Sequence, residues 1–362
     1  MAKTNDQYLN FKCIFDFKYL PMNPNKSIHL LFVTVLFSFF SCLTTVPKGN
    51  TSFRPGEVWK DSEGNFINAH SAGILFDKGV YYWYGEIKSG KSWKVERVGW
   101  DCYRVNAGGV SCYSSKDLYN WKYEGVALAP EVKDSLSDIH ISKVIERPKV
   151  IFNDKTKKYV MWMHIDSDDY LYARAGVAIS DRAQGPFAYL GSLRPNDQMS
   201  RDQTLFKDTD GKAYQICSSE ENATLYINEL TDDYLKPTGN FKRTFIGQSR
   251  EAPAIVKHMG KYFILSSGCT GWDPNQAMTA VSDSIMGNYQ TIGNPCLGTD
   301  ADKTYYAQST FILPIEGKTN SYIALFDRWK KTNLEDSRYI WLPMHFENGK
   351  MIIQWKDNWK TE

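Results

Sequence analysis

The sequence predicts an all-β chain folded as a five-bladed β-propeller, and three observations lead there. Aromatic residues make up 14% of the 362 residues, with 11 Trp and 22 Tyr; such a composition suits strands and flat platforms for sugar rings. Short apolar runs alternate with Gly, Asp and Asn turns, and no long stretch carries a helical period. One plan then recurs five times: an opening polar residue, an apolar strand, a tight turn, an aromatic strand and a later strand pair. Two stacked β-sandwiches would account for the strands but not for the polar residue that opens each unit.

The first unit starts at His70 with "HSAGILFDKGVYYWYGE" and continues in "GGVSCYSSKDLYNWKYEG". The second starts at Glu146 with "ERPKVIFNDKTKKYVMWMH", and the third at Asp202 with "DQTLFKDTDGKAYQICSS". The fourth starts at Glu251 with "EAPAIVKHMGKYFILSSG", and the fifth at Gln308 with "QSTFILPIEGKTNSYIALFDRW". Units of about four strands recurring every roughly 50–75 residues make residues 55–362 a single propeller domain.

Ahead of that domain, residues 1–45 read as a leader and 46–54 as a short linker. Lys26 precedes an apolar run from Ile28 to Phe40, which is short for a membrane span and has the layout of an export signal starting at about Met22. The expected destination is the periplasm, the outer membrane as a lipoprotein, or the medium. Cys42 stands where a lipidated cysteine would, although Phe39 and Phe40 depart from the usual small-residue lead-in. A lipid anchor there is the one membrane contact considered.

The formal charge of +2 gives no reason to expect a nucleic-acid partner. Outside the leader the cysteines are Cys102, Cys112, Cys217, Cys269 and Cys296. An odd, widely spaced set is not a disulfide framework, and buried thiols are expected. Neither zinc spacing nor a phosphate-binding glycine loop occurs.

In a propeller the first strand of each blade lines the central channel. His70, Glu146, Asp202, Glu251 and Gln308 are therefore expected to converge at one channel mouth. A lone acid at a strand start is ordinarily solvated or caps a turn. Three carboxylates at equivalent positions point to a site, because like charges repel unless something holds them together. Carboxylates facing one another among aromatics suit glycoside hydrolysis, where one acid protonates the leaving oxygen and another group activates water.

These residues resemble glycoside hydrolase family 43, and the resemblance covers nearly all of 55–362. "DQTLFKDTDGKAY" at 202–214 is similar to the family's aspartate-led strand, and "EAPAIVKHMGKYFIL" at 251–265 to its glutamate-led strand. The resemblance implies inversion, with Glu251 as general acid and Asp202 tuning and orienting it. The first blade departs from the pattern, reading "NAHSAGILF" where most members carry the basic aspartate. At that point the chain resembles the exo-β-1,3-galactanase branch, as it does in "ERPKV" at 146–150, "SEENATL" at 219–225 and "SGCTGW" at 267–272.

That branch implies Gln308 as an unusual base or a water-orienting amide, and Glu146 as a binder of sugar hydroxyls with a further part in activating water. His70, Glu220, Glu221, Trp272 and Tyr306 complete the expected substrate-binding set. The implied substrate is β-1,3-galactan or its oligosaccharides, the backbone of type II arabinogalactans. The alternatives are a family 43 arabinofuranosidase or xylosidase, and a carbohydrate-binding propeller without catalysis. No cofactor is expected to be required, and a structural calcium in the channel is left open.

Overall fold

The computed structural model describes residues 49–361. The expected leader, Cys42 and the first residues of the linker lie outside the described residues. Pro47–Glu362 forms one compact unit, and its strands make five antiparallel blades. The first holds His70–Asp77, Val80–Lys88, Ala107–Ser115 and Lys122–Leu128. The second holds Val144–Asn153, Lys158–Asp166, Arg174–Ser180 and Ala188–Leu193. Gln203–Lys207, Ala213–Ser219, Thr224–Leu230 and Pro237–Thr244 form the third. Arg250–His258, Lys261–Gly268, Met278–Ser282 and Gln290–Gly293 form the fourth. Gln308–Pro314, Tyr322–Arg328, Arg338–Glu347 and Lys350–Gln354 form the fifth, with Cys296–Leu297 added in parallel on its outer edge.

The innermost strand of each blade touches that of the next, and the fifth returns to the first. Strand alternation explains what fills the gaps between blades. Along "YYWY", Tyr81 and Trp83 face the cluster shared with the fifth blade, whereas Tyr82 and Tyr84 face the second. Trp121 joins Trp83 and Trp341 in the former cluster, fully buried. The described cysteines are unpaired, and all but Cys269 are buried.

The ring is closed by its two ends. Phe53 and Trp359 exchange backbone hydrogen bonds of 2.8 and 3.1 Å, and their rings stack with centroids 4.4 Å apart. Phe53 is 2% exposed, so this part of the expected linker belongs to the domain. An aromatic at position 53 buries more apolar area by returning to the last blade than by remaining in solvent. Replacing Trp359 with Ala removes that stack and the indole bond to the Trp341 carbonyl. The variant should lose about 3 kcal/mol of stability, read from the shift of its urea unfolding midpoint.

Candidate active site

Three inner strands bulge directly behind their leading residue. The register slips between His70 and Gly73, between Glu146 and Lys149, and between Glu251 and Ala254. Ser71, Arg147 and Ala252 there adopt left-handed φ values of 52°, 53° and 52°. Pro148 and Pro253 follow two of them, which a bulge tolerates because it leaves a residue outside the ladder. The extra residue bends each strand and re-aims its side chains at the channel lip.

Arg147 shows the effect most clearly. Its guanidinium is buried, and Nε donates to Asp202 Oδ1 at 3.0 Å while Nη2 lies 2.8 Å from Oδ2. Nη1 donates to the Ser309 carbonyl at 2.9 Å, and Nη2 to Gln308 Oε1 at 2.5 Å. Gln308 Oε1 also accepts from the Trp329 indole at 3.1 Å, and Gln308 Nε2 donates to Glu251 Oε1 at 2.9 Å. Asn222 Nδ2 reaches Glu251 Oε2 at 3.4 Å, and the Ala252 N–H donates to Asp202 Oδ2 at 3.1 Å. Burial pushes the Glu251 carboxyl up and the Asp202 charge adds to this; Arg147 opposes both, and the balance lies at about 8. A protonated Glu251 beside a guanidinium-paired Asp202 is the arrangement of a proton donor with its tuning charge.

The second blade presents the opposite case. Lys88 Nζ lies 3.0 Å from both Glu86 Oε2 and Glu146 Oε1, and the Tyr170 hydroxyl donates to Glu146 Oε1 at 3.0 Å. His164 places Nδ1 3.5 Å from Glu146 Oε2 and Nε2 2.9 Å from Asp166 Oδ2. Burial works against ionisation of Glu146, but Lys88 and His164 outweigh it and hold the carboxyl well below the usual range. Burial alone would also lower His164, yet Asp166 and Glu146 bring it up to about 9. One pocket thus holds a protonated and an ionised glutamate.

The pocket is a small open cleft of about 120 Å³. It brings together Glu146, Asp202, Glu251, Gln308 and Trp272 from the expected set. Trp272 sets its ring edge against Trp329 at 5.9 Å, and its indole nitrogen is buried without a partner.

The other expected residues do not reach the pocket. His70 is buried behind the first bulge, 3.3 Å from Asp327 Oδ1 and stacked on Tyr339; its neighbour Ser71 lines the pocket instead. Glu220 and Glu221 turn away to Arg243 and Arg201, at 2.6 and 2.7 Å, and Asn222 of the same turn faces the acid. Tyr306 lies in an adjoining recess shared with Trp272, and its hydroxyl donates to Asp300 at 3.1 Å.

Sequence reading missed Arg147, Glu86, Lys88, Tyr170, Asn222, Trp100 and Trp329. Two carried a signal, since Arg147 lies inside "ERPKV" and Asn222 inside "SEENATL". Glu86 lies near the end of the strand Val80–Lys88, whose register sets it opposite His70, a pairing visible only once the hairpin is drawn. Among the described residues no group of three or more His, Cys, Asp or Glu could hold a metal. The Lys149 side chain occupies the channel, its ammonium lowered to about 7 by burial and by Arg147.

A family model described as glycosyl hydrolases family 43 matches residues 87–311. Among solved structures, the chain is similar to a family 43 β-1,3-galactosidase in complex with galactodeoxynojirimycin. The identity is 42% and the TM-score 0.79, covering 85% of this chain and 100% of that one. A substituted exo-β-1,3-galactanase from Phanerochaete chrysosporium with β-1,3-galactotriose is 36% identical at TM-score 0.77, over 86% of this chain and 69% of that one. An exo-β-1,3-galactanase from Clostridium thermocellum is 38% identical at TM-score 0.75, over 85% and 66%. Among curated proteins, a xylan 1,3-β-xylosidase from Vibrio sp is 24% identical over 215 residues, 54% of this chain. The match spans only 39% of that relative's length. With more than half of the chain inside the family model and these neighbours at its fold, the chain belongs to glycosyl hydrolases family 43 and is a glycosidase.

Proposed function

We propose that this glycosidase is an exo-acting, inverting enzyme that releases galactose from β-1,3-galactan. The observation that carries this reading is the pair of glutamates held in opposite protonation states in one aromatic-lined pocket. Similarity to solved enzymes that act on β-1,3-linked galactose supports the sugar and the linkage. The apolar run from Ile28 to Phe40 behind Lys26 favours an exported enzyme.

In this mechanism Glu251 protonates the glycosidic oxygen as the bond breaks, and Asp202 keeps the proton on Glu251 until then. Gln308 acts as an orienting amide. Its oxygen accepts from both Arg147 and Trp329 and its nitrogen donates to the acid, so neither end is free to take a proton from water. Glu146 binds sugar hydroxyls and is the ionised carboxylate available to accept the proton of the attacking water. Trp272 offers its ring and its free indole N–H to the sugar.

Incubation with β-1,3-galactooligosaccharides should release galactose, and proton NMR of the first product should show the inverted anomer. A faster reaction with aryl xylosides or arabinofuranosides would replace galactose as the substrate. Glu251→Gln should lower kcat by about 10²–10⁴-fold, and a variant of unchanged activity would remove Glu251 from the role of acid.

Because Glu251 must carry its proton, kcat/KM should hold at neutral pH and fall as pH rises through about 8. Asp202→Asn removes a charge that raises the acid and leaves Arg147, which lowers it; the alkaline limb should then move to lower pH. Gln308→Ala removes a donor that favours the Glu251 carboxylate. It should reduce kcat strongly and move the alkaline limb upward, whereas loss of a base alone would leave that limb in place.

A further inference from the structure

Between the second and third strands of the first blade, residues 89–106 leave the sheet and form a separate hairpin, Trp93–Lys94 against Tyr103–Arg104. Two strands this short have little stability of their own. Contacts on both sides hold them. Toward the second blade, Arg104 Nη2 donates to the Ser142 and Lys143 carbonyls at 2.8 and 2.6 Å, and Arg97 pairs with Asp168. Toward the fifth, Asp101 pairs with Lys331 at 2.5 Å, and the Leu334 N–H donates to Ser92 Oγ at 2.8 Å. The hairpin is pinned across the top of the first blade.

Its tip carries Trp100, which lines the pocket yet is 43% exposed. Among the described residues its one aromatic neighbour is Tyr170, whose ring meets it at 5.5 Å and 68°, edge-on. Tyr170 in turn donates to Glu146. Trp272 and Trp329, by contrast, are half-buried beside the acid and pack on each other. The pocket therefore has two aromatic levels: a sheltered pair next to Glu251 and Gln308, and one ring held in solvent at the mouth. A large indole anchored on charged and backbone contacts but left uncovered is poised to stack on a ligand ring.

We propose that Trp100 binds the sugar on the leaving-group side of the cleaved bond, and that the 89–106 hairpin makes the pocket read two sugar units instead of one. This rests on the galactosidase reading given above. A galactosyl unit whose hydroxyls meet Glu146 and whose linkage oxygen meets Glu251 fills the inner level. The next sugar then leaves through the mouth, where Trp100 stands.

The test compares two substrates, β-1,3-galactobiose and β-galactosyl fluoride; the leaving group of the second is a single atom. Trp100→Ala should lower kcat/KM for galactobiose about tenfold more than for the fluoride, the size expected of one ring-stacking contact. Trp100→Phe, which keeps a flat ring, should recover most of the difference. Should the alanine variant lose the fold by its melting curve, Trp100→Leu serves in its place, keeping apolar bulk without a face. Losses within about threefold of each other on the two substrates would overturn the proposal. A wild-type protein that hydrolyses neither substrate would instead overturn the galactosidase reading on which it rests.

Discussion

The pocket depends on one buried guanidinium. Four carboxylates, those of Glu86, Glu146, Asp202 and Glu251, line it, and in a low-dielectric site they would repel strongly if all were charged. Arg147 pairs with Asp202, holds the amide of Gln308 and fixes the Ser309 carbonyl of the fifth blade. It thereby ties the second, third and fifth blades together at the channel lip. Removing one partner of such a buried pair typically costs about 3–5 kcal/mol, so this contact serves the ring as well as the chemistry.

Arg147 can reach these partners only because of the strand bulge. A residue with φ of 53° followed by a proline interrupts the alternation of the strand. Without the interruption, Arg147 and Lys149 would share a face by strand period. With it, Arg147 reaches the pocket, while Lys149 lies in the channel and donates to the Ser71 and Pro148 carbonyls. The same device at Ser71 explains the first blade. His70 is held inward on Asp327, whose other oxygen accepts the Ser71 N–H at 2.7 Å. The carboxylate this blade contributes to the pocket comes from its second strand, as Glu86.

Environment then separates residues of identical chemistry. Glu251 has burial and a neighbouring anion working in the same direction and keeps its proton. Glu146 is also buried but faces an ammonium and an imidazole, and it loses its proton. The proposed division into a proton donor on the fourth blade and a hydroxyl-binding carboxylate on the second follows from these surroundings.

How much of this was legible in the sequence follows from the range of each signal. The five-unit repeat, the aromatic strands and the convergence of Glu146, Asp202, Glu251 and Gln308 are local patterns multiplied by a repeat, and period and spacing reveal them. His70, Glu220 and Glu221 were misplaced because a bulge or a turn rotates side chains by amounts that spacing does not encode. Lys88, Tyr170, Trp100 and Trp329 meet the pocket from second strands and connections, where no periodic pattern marks them. By itself the sequence determined the architecture and the kinds of groups at the channel mouth, because alternation and repetition decide what is buried. Only the tertiary structure decided which carboxyl keeps its proton, because that depends on which charges arrive from other blades.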